Sequence, residues 1–271
     1  MNTPSRMRHA TAAVLFALTA LAAATVAQAQ EFSAVVSPPR FEDRARPGAT
    51  YRNVIEIANA STKPGRYTVE TADWTLDAHG APVFTQALAP GSCRPWVGIE
   101  AAAIQVEGSG KRRFRFEVKV PADAHRGECR FAIMIEGEPQ IARGNVPLPV
   151  SGRIGVIVYL AIGDATPALT LLETVGVEVQ GQRVPALRVR NDGDMHARLE
   201  GYLGAIDAAG KRIVLVPENS PILPGATRTI ALYPQADDRT ATAPTIDYPV
   251  RIRGRLDAER QRLDIDTALE R

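Results

Sequence analysis

Apolar residues recur at every second position through many short runs of this chain, whereas helical spacing is nearly absent. The run Tyr51–Ala58 alternates in this way, and Arg112–Val120 alternates until Pro121 ends it. Such alternation places the apolar side chains on one face of a strand. Many short strands that are separated by turn signals predict an all-β chain built from sandwiches.

Residues 1–29 have the pattern of a secretory signal peptide. Arg6 and Arg8 give a positive start. The stretch Ala12–Val26 is almost wholly apolar, and Ala27–Ala29 is a small-x-small cleavage site. A retained membrane anchor is the alternative, which the short, alanine-rich apolar core disfavours. Because no later segment has the length of a membrane span, we expect an exported protein without membrane insertion.

The two arginines of the leader account for the net positive charge of the chain. The chain has 32 Lys and Arg against 30 Asp and Glu, so removal of the leader leaves 30 of each. The densest basic run, Lys111–Arg113 with Arg115, alternates with Phe114 and Phe116. We interpret this run as the solvated face of a strand. Since a nucleic-acid binder requires a clustered basic surface, we expect no nucleic-acid partner.

The mature chain has about 240 residues, which suits two domains. The second half repeats an order of features that occurs in the first. A strand that ends at Asn59 is followed by the turn Asp77–Gly80, and a strand that ends at Asn191 is followed by Asp207–Gly210. We interpret the echo as a repeated sandwich motif, with chance similarity of two β domains as the alternative. The predicted domains are residues 30–163 and 164–271.

The two cysteines, Cys93 and Cys129, are predicted to form one disulfide bond, because export exposes the chain to an oxidising compartment. The bond closes a loop of about 36 residues and stabilises the fold by a few kcal/mol in the loop-entropy description. The histidines are scattered along the chain, so we expect no metal site.

No catalytic motif is found in the sequence, and we expect neither enzymatic activity nor a cofactor. The segment Glu107–Gly110 lacks the leading glycine of a nucleophile elbow, and Gly108–Lys111 lacks the outer positions of a phosphate loop. The carboxylates of Glu70, Asp73 and Asp77 are interpreted as solvated turn residues. The glycosylation sequon at Asn59 is interpreted as part of a turn.

The run Val146–Val150 has one apolar face, formed by Val146, Leu148 and Val150, and it contains Pro147 and Pro149. Proline cannot donate to a strand ladder and is confined to edge strands. Both missing N–H groups lie on the same edge of this strand, so the opposite edge keeps the donors of the apolar residues. An exposed alternating edge strand can add to the sheet of a partner protein.

Several stretches in order resemble the periplasmic pilus-assembly chaperones of the chaperone–usher pathway. The resemblance covers roughly Glu31–Gly163 and is weaker afterwards. The matching stretches are Ser37–Arg40, Asn53–Asn59, Tyr67, Asp73–Trp74, the turn at Gly80, Val118–Pro121 and Gly152–Tyr159.

The resemblance implies two immunoglobulin-like β-sandwich domains at an angle, with a cleft between them. It implies that the protein lends its last first-domain strand to an incomplete pilus subunit, with Val146, Leu148 and Val150 as the donor face. Arg40 and Arg153 fall on the two basic positions that hold the terminal carboxylate of the subunit. Planar guanidinium groups suit a carboxylate, although lysine is commoner at the second position.

The partners implied by the resemblance are pilus or fimbrial subunits and an outer-membrane usher, and the implied location is the periplasm. An exposed edge strand also allows self-association. If Pro147 and Pro149 lie on the pairing edge, we expect a shorter or differently bent donated segment. Two alternatives remain. In the first, Arg40 and Arg153 are ordinary surface charges or pair with Glu42 or Asp164. In the second, the whole chain is a structural or adhesive two-domain surface protein.

Overall fold

The structure, a computed structural model, describes residues 33–78, 80–142, 148–236 and 243–270. The predicted signal peptide lies outside these residues, as does Val146 of the predicted donor strand. Within the described ranges the chain is almost entirely β, with one short 3₁₀ turn at Arg94–Trp96. The predicted all-β class is confirmed. None of the helical structure in these ranges is long and apolar enough to cross a membrane.

In its described residues, the first unit contains twelve strands that form two facing sheets and a small extension. One sheet has the order β1-β3-β8-β6, the other has the order β2-β12-β9-β4-β5 with β7 on β4, and β10 pairs with β11. Their bounds are β1 (Ala34–Ser37), β2 (Arg40–Ala45), β3 (Thr50–Asn59), β4 (Gly65–Leu76), β5 (Pro82–Thr85), β6 (Val97–Ile99), β7 (Ala103–Val106), β8 (Lys111–Lys119), β9 (Gly127–Gly137), β10 (Gln140–Ala142), β11 (Leu148–Val150) and β12 (Arg153–Ile162).

The core of the first unit lies between its two facing sheets. Ile55 of β3 and Phe114 of β8 come from one sheet, and Phe131 of β9 and Val158 of β12 come from the other; all four are fully buried. The predicted disulfide is confirmed: Cys93 and Cys129 are bonded, with their Cα atoms 5.6 Å apart. The bond ties the segment before β6 to β9, so it links the two sheets.

The basic run Lys111–Arg113 lies on β8, where Lys111 and Arg113 are exposed, whereas Arg112 is half-buried and lies on the same face as the buried Phe114. Carboxylates on neighbouring segments neutralise it. Lys111 lies 2.7 Å from Glu56, and Arg112 lies 2.9 Å from Glu100. Lys111, Arg113 and Arg115 form the solvated strand face that the sequence predicted, and Arg112 does not belong to it.

The second unit is one antiparallel sheet in the order β13-β14-β17-β16-β15-β18-β19. Strand β17 pairs with β14 through its first half and with β16 through its second half, so it joins two layers around one core. Its strands are β13 (Leu169–Val179), β14 (Gln182–Asn191), β15 (Leu203–Ile206), β16 (Arg212–Pro217), β17 (Thr227–Pro234), β18 (Val250–Ala258) and β19 (Gln261–Leu269).

The two units touch through one face of the β2-β12-β9-β4-β5 sheet, which we call the joint face. Ala72, Trp74 and Tyr159 lie on this face, and Leu223 and Ala226 of the second unit pack against them. Side chains on β2 and β12 that pair with each other lie on the same face of the sheet, so the register places Arg40 and Glu42 on the joint face, together with every second residue of β12 from Arg153 to Ala161.

Candidate functional site: an open strand edge beside the domain joint

The first half of β12 has a neighbour on one side only. β9 pairs with the whole of β12, from Arg153 to Ile162. On the other side β2 begins to pair at Ile157, whose N–H donates to the carbonyl of Pro39 at 3.2 Å. Among the described residues no strand pairs with this side of Arg153–Val156. We call this side, continued back through β11, the outer edge.

Pro149 of the predicted donor strand lies on the outer edge. β10 and β11 pair antiparallel, with Ile141 opposite Pro149 and Gln140 opposite Val150. Because Pro149 has no N–H, the pair that it forms with Ile141 is the non-hydrogen-bonded one, and the bonds pass through the flanking pairs. The N–H of Val150 is therefore directed at β10, and Pro149 is directed away from it.

The register with β10 decides which backbone N–H groups of β11 are available to a partner. Leu148 and Val150, which sequence reasoning assigned to the donor face, carry backbone N–H groups that face β10 rather than the outer edge. The side chain of Val150 is exposed. The sequence showed that both prolines share an edge, but it did not show which edge meets a neighbour.

Beyond Pro149 the outer edge presents a continuous set of donors. The carbonyl of Gly152 accepts from the N–H of Gly137 at 3.1 Å, so Gly152 faces β9, whereas Ile157 faces β2. Strand residues alternate between the two edges, so the N–H groups of Ser151, Arg153 and Gly155 face outward. In the part of the chain that the structure describes, none of the three has a backbone acceptor.

The outer edge ends at β2, which occupies the same side of β12 from Ile157 onward. A strand added along Ser151–Gly155 would be collinear with β2 and would end beside Pro39 and Arg40. Arg40, the first residue of β2, therefore lies at the closed end of this slot.

Arg40 and Arg153 lie on the same face of the sheet, but they contact different carboxylates. Arg40 pairs with Ile157 in the ladder, four positions beyond Arg153, so the two Cα positions are about 13 Å apart along the strand. The Nε atom of Arg40 lies 2.7 Å from Glu42. Of the two partners that the sequence offered for these arginines, Glu42 is the one found at Arg40.

Arg153 is surrounded by acidic side chains from two neighbouring strands. Its Nη2 atom lies 2.7 Å from Glu70 of β4, and its Nε atom lies 3.7 Å from Glu136 of β9. Glu70 also accepts from Gln86, and Glu136 accepts from the Ser151 hydroxyl at 2.8 Å. A carboxylate that approaches Arg153 therefore meets two negative charges beside one positive charge.

Next to Arg40 the joint contains a buried ionic cluster that sequence reasoning missed. His196, from the loop after β14, is 4% exposed and stacks on Tyr159 with ring centroids 3.8 Å apart. Its ring and its backbone N–H both bond Glu128 of β9. Arg198 lies 3.2 Å from the same Oε1 atom of Glu42 that Arg40 contacts. The only signal in the sequence was the Asn191 turn, which does not reveal what its loop touches.

Charges in this cluster shift the titration of its members. The hydrogen bond from His196 is the main cause that lowers the pKa of Glu42 to about 2, and Arg198 and Arg40 assist. Burial opposes protonation of His196, but the bonds to Glu128 and Glu42 outweigh it and raise the pKa of the imidazole. Burial also raises the pKa of Tyr159 to about 12. Glu42 is therefore ionised throughout the neutral range.

Within the ranges that the structure covers, no group of three or more His, Cys, Asp or Glu side chains is placed to hold a metal ion. The sequon residue Asn59 is 1% exposed, and its side-chain amide bonds backbone groups in neighbouring segments. Asn59 ends β3 rather than lying in the predicted turn, but its side chain bonds the turn that follows and is too enclosed to leave room for a glycan.

No protein-family model matches the sequence, and no curated protein matches it. Solved structures do match. The chain is 10% identical to the Class 5 fimbriae chaperone CfaA, covering 86% of this chain and 98% of that one, with a TM-score of 0.47. The Pseudomonas aeruginosa CupB2 chaperone is 13% identical, with 87% and 100% covered and a TM-score of 0.45. A Salmonella enterica SafA pilin in complex with the SafB chaperone is 13% identical, with 88% and 95% covered and a TM-score of 0.41.

Proposed function

We propose that this protein is a non-enzymatic periplasmic chaperone that binds pilus or fimbrial subunits by adding its β12 edge to their unfinished sheets. The outer edge of Ser151–Gly155 is the observation that carries the proposal. It offers three outward N–H groups on a strand that is anchored in the core by β9 and β2. Backbone bonding at such an edge supplies affinity, and alternating side chains supply choice.

The position of Arg40 sets the direction of the added strand. A terminal carboxylate can reach Arg40 only if the last residue of the partner lies at the closed end of the slot. The partner then runs parallel to β12, as β2 does. A guanidinium group holds a carboxylate with charge-assisted bonds, and this contact fixes the register. A shift of one residue would turn every partner side chain to the opposite face.

Val146, Leu148 and Val150 remain the proposed apolar donor face, and Arg40 and Arg153 remain the proposed anchors, with two refinements. Backbone pairing is centred on Ser151–Gly155, because Pro149 cannot donate from the outer edge. Arg40 is the principal anchor, since Glu70 and Glu136 already neutralise Arg153.

We also propose that residues 30–163 and 164–271 are the two domains, that an outer-membrane usher receives the complex, and that residues 1–29 direct export.

The test is co-expression with a pilin-like subunit that has an unfinished β-sandwich and a free terminal carboxylate, followed by co-purification. We expect Arg40→Ala to reduce subunit recovery about tenfold or more, because it removes a charged partner from a desolvated contact. Arg153→Ala should have a smaller effect. Arg52→Ala is the matched control, since Arg52 is an exposed β3 arginine that pairs with Glu117 at 3.0 Å. Full recovery with Arg40→Ala would contradict the anchor.

A further inference from the structure

Two arginines and a histidine converge on a single oxygen of Glu42. The Oε1 atom lies 2.7 Å from Nε of Arg40, 3.2 Å from Nε of Arg198 and 3.6 Å from Nε2 of His196. Arg40 comes from the same strand, and the other two come from the second unit. One carboxylate therefore connects the end of the strand slot with the domain joint.

The partners on the joint side are fixed. The side chain of Arg198 is 9% exposed, and its other nitrogens reach the carbonyl of Asn219 at 2.8 Å and the hydroxyl of Tyr159 at 3.5 Å. His196 is held by Glu128 and by its stacking on Tyr159. These contacts keep Arg198 and His196 in place whether or not Glu42 also holds Arg40.

Arg40 is the loosely held member of the set. Its side chain is 41% exposed, and across the described ranges Glu42 is its one ion-pair partner. A guanidinium group can bind a carboxylate bidentately, through two N–H groups on one edge. Glu42 contacts Nε, which supplies one of the two N–H groups of such an edge. The positive charge that would attract a terminal carboxylate is thus partly shielded by a carboxylate of the same strand.

We propose that Glu42 is a built-in competitor for the Arg40 carboxylate site, and that Arg198 and His196 retain Glu42 when an incoming carboxylate takes Arg40. The inference rests on the proposed function for its biological meaning and specifies how that site is regulated. Exchange costs little, because Glu42 keeps Arg198 and His196 as partners after Arg40 leaves it. In the empty molecule, Glu42 weakens the attraction of Arg40 for carboxylates that lack a matching strand.

The experiment uses acetate as the carboxylate probe on the full mature protein. Arginine Nε–H resonances are followed by NMR during titration with sodium acetate, with sodium chloride at equal ionic strength as reference. In Glu42→Gln the acetate concentration at half-response of Arg40 should fall about two- to fivefold, the range expected for an exposed ion pair. Glu56→Gln, which removes the exposed Lys111 partner, is the matched control and should leave Arg40 unchanged.

An Arg40 response that is equal in Glu42→Gln and in the wild type would overturn the inference. The ring resonances of Tyr159 and His196 report whether the joint is intact. If the glutamine variant shifts them, Glu42→Asp is the second test. Its shorter carboxylate keeps the charge but lies farther from Arg40, and it should move the acetate response in the same direction. Failure of the pilin co-purification alongside a positive acetate result would reject the proposed function and leave the competition at Arg40 standing.

Discussion

In both units a strand ends at a buried asparagine whose side chain holds the turn that follows, which we call the shared corner. The surroundings of the last strand differ between the units. In the first unit, Asn59 accepts a bond from the N–H two residues ahead and donates to the carbonyl four residues ahead, and Asn191 does both in the second unit. Both residues are buried, and each also donates to a distant segment, at Val106 or at Ile222.

The turns that sequence reasoning matched are also equivalent. Asp77 bonds the backbone N–H of Ala81 at 2.8 Å, and Asp207 bonds that of Lys211 at 2.8 Å. In each turn the glycine, Gly80 or Gly210, has a positive φ that other residues rarely adopt. The two units are thus built on the same local frame, which agrees with the repeated motif expected from the sequence.

The last strand of each unit shows the difference. The outer edge of β12 is covered by β2 only from Ile157 onward. In the second unit, the side chain of Gln261 at the start of β19 bonds both the N–H and the carbonyl of Leu169 at the start of β13, at 2.7 and 2.6 Å. The shared asparagine turns therefore do not decide what lies against the last strand of each unit.

The largest effect is expected from breaking the shared corner. Asn59→Ala and Asn191→Ala should each destabilise their unit by about 2–4 kcal/mol, because buried carbonyls lose their donors. Trp74 and Trp96 are the two tryptophans of the chain, and both lie in the first unit, so urea unfolding followed by their fluorescence reports on Asn59→Ala. Hydrogen exchange reports on the second unit.

Asn219→Ala serves as the control, because Asn219 is exposed and donates no side-chain bond within the described ranges. If Asn191→Ala behaved like this control while Asn59→Ala was strongly destabilised, the equivalence of the two corners would be wrong.

A smaller effect is expected from removing the contact between β19 and the start of β13. Gln261→Ala removes two bonds to the backbone of Leu169 and should cost about 1–2 kcal/mol. It should also speed hydrogen exchange at Leu169 and favour self-association of the mature protein, measured by size-exclusion chromatography. Gln105→Ala is the control, since the amide of Gln105 bonds only the exposed side chain of Glu107 in the described structure. Unchanged exchange at Leu169 would show that Gln261 does not protect the start of β13.

The sequence predicted the fold well because its signals are local. Alternation indicated the strands, the two cysteines left one pairing, and the asparagine and aspartate turns repeat their own sequence context. Most of the site was not local. The placement of Glu70 and Glu136 around Arg153 depends on the register between β4, β9 and β12. His196 and Arg198 reach Glu42 from the other unit, and no spacing within one strand predicts such a contact.

The smallest effect on stability, but a decisive one for the comparison, is expected at the open edge itself. Ser151→Pro removes an outward N–H that has no acceptor in the described part of the structure, while Ser151→Ala keeps it. Both variants lose the hydroxyl bond to Glu136, so their stabilities should agree within about 0.5 kcal/mol, as for other surface changes. Only the proline variant should lose pilin recovery, because proline cannot donate to an added strand. Equal recovery with both variants would mean that a partner binds elsewhere, and that the gap between β2 and β11 is not the reason this unit remains open.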